Sequence, residues 1–106
     1  MTPGAIVRHG ERFAAVLFVV SGQAALAPVV RAEGGGNRRR GDVALDPSLI
    51  GLTVRHPVAR CGELFMVPAR FDPERVGAVA DLAALQCAAR RAAETVAVER
   101  RFARVA

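Results

Sequence analysis

The hydrophobic period of this chain changes near Val79, and that change limits the folds open to it. Val79, Leu82, Leu85, Ala89, Ala92 and Val96 recur at steps of three and four, with Asp81, Arg90, Arg91 and Glu94 off the stripe. That spacing predicts an amphipathic helix running to about Arg101. Ahead of it, short apolar runs alternate with glycine and proline turn signals. Ala5–Arg8, the turn His9-Gly10-Glu11 and Arg12–Val20 form a predicted hairpin. Ser21-Gly22-Gln23 is a turn or loop, although Ala24–Leu26 can extend a strand. Pro28–Ala32 and Asp42–Leu45 are the next strands, and Leu52–Val58 and Leu64–Val67 complete the set. The helix start has two candidates: Asp72-Pro73-Glu74, a cap followed by proline, weakened by Gly77, and Asp81. The expected architecture is mainly β with α. Five or six short, mostly antiparallel strands form a small SH3-like barrel closed by the C-terminal helix, as one domain over residues 1–106.

Within that frame, Ala27–Asp46 sets an apolar strand, a glycine-rich turn and a second apolar strand side by side, a predicted basic hairpin that holds Arg38, Arg39 and Arg40 in solvent. All fifteen basic residues are arginine, and the net charge is +5. Arginine makes planar bidentate contacts with phosphate, so the hairpin points to a polyanion, RNA or DNA. Trp and Tyr are absent and Phe occurs five times, which argues against an aromatic base-stacking platform. Contact with nucleic acid then rests on charge and hydrogen bonding and weakens steeply with salt.

The apolar fraction of 52% excludes a disordered chain. Cys61 and Cys87 lack metal-ligand spacing and read as small apolar core residues. Arg8, Arg12, the run Phe13–Val20 and Ala25-Leu26-Ala27 imitate a signal peptide. Glu11 interrupts its basic region and Pro28 would follow the cut, so a buried strand is the favoured reading. The run is too short for a membrane helix. No metal, cofactor or membrane is expected, and the location is cytoplasmic.

The order of elements and three local matches resemble the MazF/PemK toxin family, which shares a compact barrel with the CcdB gyrase poisons. The first match is Thr2–Val7 followed by Arg12–Ser21, similar to the family's opening strand and its apolar second strand ending in serine. The second is PVVRAEGGGN…GDVALD, similar to the PemK branch. The third is Leu52-Thr53-Val54-Arg55, the strand around Phe65 and the final helix. The resemblance implies a toxin that cleaves single-stranded RNA without metal, a homodimer neutralised by a small antitoxin protein.

Carried over by position, Arg12 matches an arginine at the start of strand two, and Arg55 matches the PemK arginine. The family's Thr or Ser falls on Ala32 or Glu33, and the PemK aspartate on Pro57. His9 stands in a first loop shorter than the family's. The candidate catalytic set is therefore His9 and Glu33 as an acid–base pair, with Arg12 and Arg55 on the phosphate. Arg8, Arg31, Arg38, Arg39 and Arg40 are the candidate nucleic-acid contacts. His56, before Pro57, is read as structural, and Arg90 and Arg91 as the solvated face of the helix. The missing hydroxyl and aspartate leave a rival open: a non-catalytic module on the same barrel that binds nucleic acid or protein, or inhibits an enzyme such as gyrase. A structural small barrel with no nucleic-acid role is the third possibility.

Overall fold

The computed structural model describes residues 1–31, 39–46 and 56–105, with backbone alone for His9 and for residues 95–105. Among the described residues seven strands precede one helix: β1 (Ala5–His9), β2 (Arg12–Val20), β3 (Gln23–Arg31), β4 (Asp42–Ala44), β5 (Pro57–Arg60), β6 (Phe65–Pro68), β7 (Glu74–Ala78) and α1 (Leu82–Val105). All described pairings are antiparallel, in the order β4-β5-β3-β2-β1-β7, with β6 also on β3.

The local chemistry accounts for the first three strands. Ser21 and Gly22 both have positive φ, 51° and 77°, between the paired residues Val20 and Gln23. Two left-handed residues in a two-residue loop match the twist of the flanking strands, which fixes the β2–β3 hairpin. The apolar run resembling a signal peptide is β2, a central strand whose Ala14–Leu17 are buried. Its register shifts between Val16 and Phe18. The shift turns consecutive residues, Leu17 and Phe18, toward the helix side. Gln86 of α1 donates its Nε2 hydrogen to the Leu17 carbonyl at 2.8 Å, so the helix is anchored at the irregular point of the sheet.

One face of the sheet packs against α1. Ile6, Ala15, Leu17, Ala27, Val29, Ala59 and Cys61 form a cluster with Leu85 and Ala89, and Val43 of β4 and Val76 of β7 lie against it. Ala5, Val7, Ala14, Val16, Ala24 and Leu26 form a second cluster on the other face, covered by Phe65 and Val67 of β6. Strands with alternate residues in two cores are apolar on both sides, which is why β2 reads as a continuous run.

Several expectations need correction. The Ala27–Asp46 segment is not a hairpin: β5 lies between β3 and β4, and both are antiparallel to it. β3 and β4 therefore run parallel, one strand apart. Asp72-Pro73-Glu74 leads into β7 and not into the helix. The helix is capped by Asp81, whose Oδ1 accepts the Ala84 N–H at 3.0 Å. β3 runs without a break through Pro28. Proline offers no N–H to a ladder, and the partners on the β5/β6 side skip Ala27 and Pro28, from Leu26↔Phe65 to Val29↔Ala59. The barrel is not closed by hydrogen bonds among the described residues, since β4 and β7 remain the two ends of the order. Cys61 is buried and Cys87 is exposed, both as free thiols. Of the Leu52–Val58 strand, residues 52–55 lie outside the described residues.

Candidate functional site

The residues singled out in the sequence fall into two groups, at opposite ends of β5. At its N-terminal end, Pro57 pairs with Arg31, the last residue of β3. His9 and Arg12 close the neighbouring β1–β2 hairpin as register partners, and Phe13, the residue after Arg12, pairs with Val29, two residues short of Arg31. Arg12, Arg31 and His9 thus share one end of the sheet. Arg8 is there too, and like Arg31, two residues after the core residue Val29, it is on the helix side: its guanidinium lies 5.6 Å from the Phe13 ring centroid, and Phe13 packs against the helix-side core. Arg12 alternates with Phe13 and belongs to the opposite face.

His56 joins this end of the sheet. It is exposed and precedes Pro57 with φ at 49°, outside any strand. A histidine rarely holds that backbone conformation, and such residues are enriched at functional sites. The dipeptide His-Pro gave no cue, because proline biases its predecessor toward extended backbone. Glu33, Arg38 and Arg55 lie outside the described residues. Pro57, standing where the PemK aspartate falls, is buried in β5.

The second group surrounds the C-terminal end of β5. Here Asp42 pairs with Arg60, and the turn Arg39–Gly41 rests on Cys61–Glu63. Gly41 has φ +86°, and a Cβ on it would meet the Gly62 backbone nitrogen at 2.6 Å. A Cβ on Gly62 would lie 2.4 Å from the Arg40 carbonyl oxygen. Only two glycines allow backbones to approach so closely. The contact is tied by the Cys61 N–H to the Gly41 carbonyl at 3.0 Å, and the turn by the Arg39 N–H to Asp42 Oδ2 at 2.8 Å.

Side-chain charge follows the backbone. Arg39 Nη1 donates to Glu63 Oε1, and Arg60 Nη1 stands 3.7 Å from Glu63 Oε2. Arg39 is therefore not simply held out in solvent, as the hairpin reading expected. Twenty-four positions separate it from Glu63, and no local signal announces that pairing. Burial, followed by the nearby Asp42 charge, pushes the Cys61 thiol up to about 11. Beside the turn, Arg40, Gly41 and Asp42 face Cys87 and Arg91 of α1 across a groove of about 470 Å³. Arg90 is exposed, yet its guanidinium lies 5.6 Å from the Phe18 ring centroid, so it is not purely a solvated residue.

Chemically, the first group brings a histidine and three arginines to one end of the sheet, Arg12 on one face and Arg8 and Arg31 on the other, groups whose chemistry suits phosphate binding and proton transfer. In the second, two arginines share one carboxylate. Among the described residues, no three His, Cys, Asp or Glu side chains gather in a way that could hold a metal. None of their helices is long and apolar enough to cross a membrane.

No family model and no curated protein matches the sequence. Solved structures do match. The Mycobacterium tuberculosis toxin MazF-mt6 aligns over 88% of this chain and 97% of its own, with a TM-score of 0.62 at 20% identity. A second Mtb toxin aligns over 82% of this chain and 93% of its own, with a TM-score of 0.58 at 17% identity. The chain has a MazF-like fold.

Proposed function

We propose that this chain is the toxin of a type II toxin–antitoxin pair, a ribosome-independent endoribonuclease acting on single-stranded RNA. The observation that carries the reading is the MazF-like fold, which extends over 88% of the chain. The basic sheet end formed by His9, Arg12 and Arg31 supports it.

The reaction is an internal transfer. The 2′-oxygen attacks the adjacent phosphorus, its proton passes to a base, and the P–O5′ bond breaks as the leaving oxygen takes a proton from an acid. A 2′,3′-cyclic phosphate and a 5′-hydroxyl result. His9 and Glu33 are the acid–base pair, and Arg12 and Arg55 neutralise the charge on the phosphorane. Arg8, Arg31 and Arg38 extend the grip along the RNA, with Arg39 and Arg40 at the far end of β5. The protein acts in the cytoplasm as a homodimer, and a small antitoxin neutralises it.

One observation favours a second reading, a non-catalytic binding module on the same fold. Ala32 and Glu33 stand where the family places its hydroxyl, and Pro57 where the PemK branch has aspartate. Incubating the purified protein with mixed-sequence single-stranded RNA in EDTA separates the two. The toxin reading expects cleavage that is lost in Arg12→Ala, His9→Ala and Arg55→Ala. Intact RNA with correctly folded protein supports the binding module.

A further inference from the structure

We propose that Arg39 and Arg60 form a phosphate-binding site for single-stranded RNA, and that Glu63 occupies this site when no RNA is bound. The proposal rests on the RNA reading above and adds a site on β5 remote from the His9–Arg12 end.

The two oxygens of the Glu63 carboxylate are divided between two cations, Oε1 on Arg39 and Oε2 near Arg60. A phosphodiester presents two anionic oxygens in a similar fork, and guanidinium groups are built to receive it. Exposure differs across the site in a useful way. The side chain of Arg60 is 12% exposed, while those of Arg39 and Glu63 are 62% and 45% exposed and open to solvent. Exposed ion pairs contribute little to stability, so the carboxylate is cheaply displaced.

Glu63 is also dispensable for holding the arginine turn in place. The turn is already fixed by the Gly41–Gly62 contact, the Cys61–Gly41 backbone bond and the Arg39–Asp42 bond. Removing the carboxylate therefore leaves the Arg39 backbone in place, with its exposed side chain free to meet an incoming phosphate. The adjacent groove carries Arg40 and Arg91 against the single carboxylate of Asp42, so it stays net cationic along the onward path of a bound strand. An incoming phosphate must expel Glu63 or share the arginines with it, so the glutamate lowers affinity and sharpens the demand for a polyanion over a single anion.

The test is fluorescence anisotropy with a short, uncleavable 2′-O-methyl single-stranded RNA across a salt series. Glu63→Gln, checked for an unchanged melting profile, should bind about three- to tenfold tighter at low salt. One more phosphate is neutralised, so the slope of log K against log salt should steepen by about 0.7. Arg39→Ala should weaken binding, and in that background Glu63→Gln should have no effect. Equal or weaker binding by Glu63→Gln overturns the proposal while leaving the RNA reading intact. A gain toward polyglutamate but not RNA also overturns it, in favour of an acidic protein partner. Failure of wild type and variant alike to bind RNA overturns both.

Discussion

Replacing Gly62 by alanine tests how the arginine turn is held. Gly62 does not use a left-handed φ, so conformational preference alone makes alanine stabilising by about 0.4–1 kcal/mol through the unfolded chain. The obstacle is contact. The new Cβ would stand 2.4 Å from the Arg40 carbonyl oxygen, and an ordinary carbon–oxygen contact needs about 3.3 Å, so the turn must retreat by roughly 1 Å. The obstructing atom is backbone and cannot swing aside. A retreat of that size breaks the bond from Cys61 N–H to the Gly41 carbonyl, about 1 kcal/mol. It also pulls the turn off Cys61–Gly62, on which it rests, whereas Ala92 Cβ, 3.6 Å from the new methyl carbon, is in ordinary contact and obstructs nothing. With lost packing of about 1–2 kcal/mol, the net loss is about 2 kcal/mol, or roughly 8–12 °C in melting temperature. Thermal and urea denaturation followed by circular dichroism measure it. A Gly62→Ala protein melting within about 1 °C of wild type would falsify the close approach of the two turns.

Two further perturbations probe the core. Burial, and after it the Asp42 charge, raises the Cys61 thiol of the folded protein to about 11 from the 9.0 of a free thiol. Between those values the folded state holds the proton more tightly, so stability is intact below about 9 and falls as pH rises toward 11, by up to roughly 3 kcal/mol. Urea titrations at pH 8, 9.5 and 11 should show this fall, and it should vanish in Cys61→Ala once that variant's own baseline is subtracted. A thiol reagent at pH 8 should label exposed Cys87 rapidly and Cys61 only on unfolding. Gln86→Ala removes the donor to the Leu17 carbonyl at the β2 bulge and should cost about 1–2 kcal/mol by urea denaturation. A cost near zero would mean that the bulge does not need the helix.

Local features of the fold were legible in the sequence, and features set by distant pairing were not. The β1–β2 hairpin and the helix stripe through Leu85, Ala89 and Ala92 emerged from spacing because period and burial are local consequences of geometry. Sequence alone leaves two helix starts, Asp72-Pro73-Glu74 and Asp81, because both carry the chemistry of a cap, and only pairing with β1 makes Glu74–Ala78 a strand and leaves Asp81 as the cap. The Ala27–Asp46 segment looked like a hairpin for a similar reason. Turn residues between apolar runs give no sign that β5 will insert between the two strands. Of the candidate site, the pairing of His9 with Arg12 followed from adjacency across a short turn. The contact of Arg39 with Glu63 depends on two glycines meeting from separate turns, a tertiary event with no sequence period.

The activity proposed for this chain of MazF-like fold is cleavage of single-stranded RNA by internal transfer to the 2′-oxygen. The chemistry of the new ends tests it most directly. A defined RNA incubated with the protein should yield upstream fragments ending in a 2′,3′-cyclic phosphate and downstream fragments with a 5′-hydroxyl that accepts phosphate from a kinase without prior dephosphorylation. Substituting the 2′-hydroxyl at the cut site by hydrogen should abolish that cut alone. Fragments bearing 5′-phosphates, or an RNA left whole by protein that is folded and dimeric, would contradict the claim.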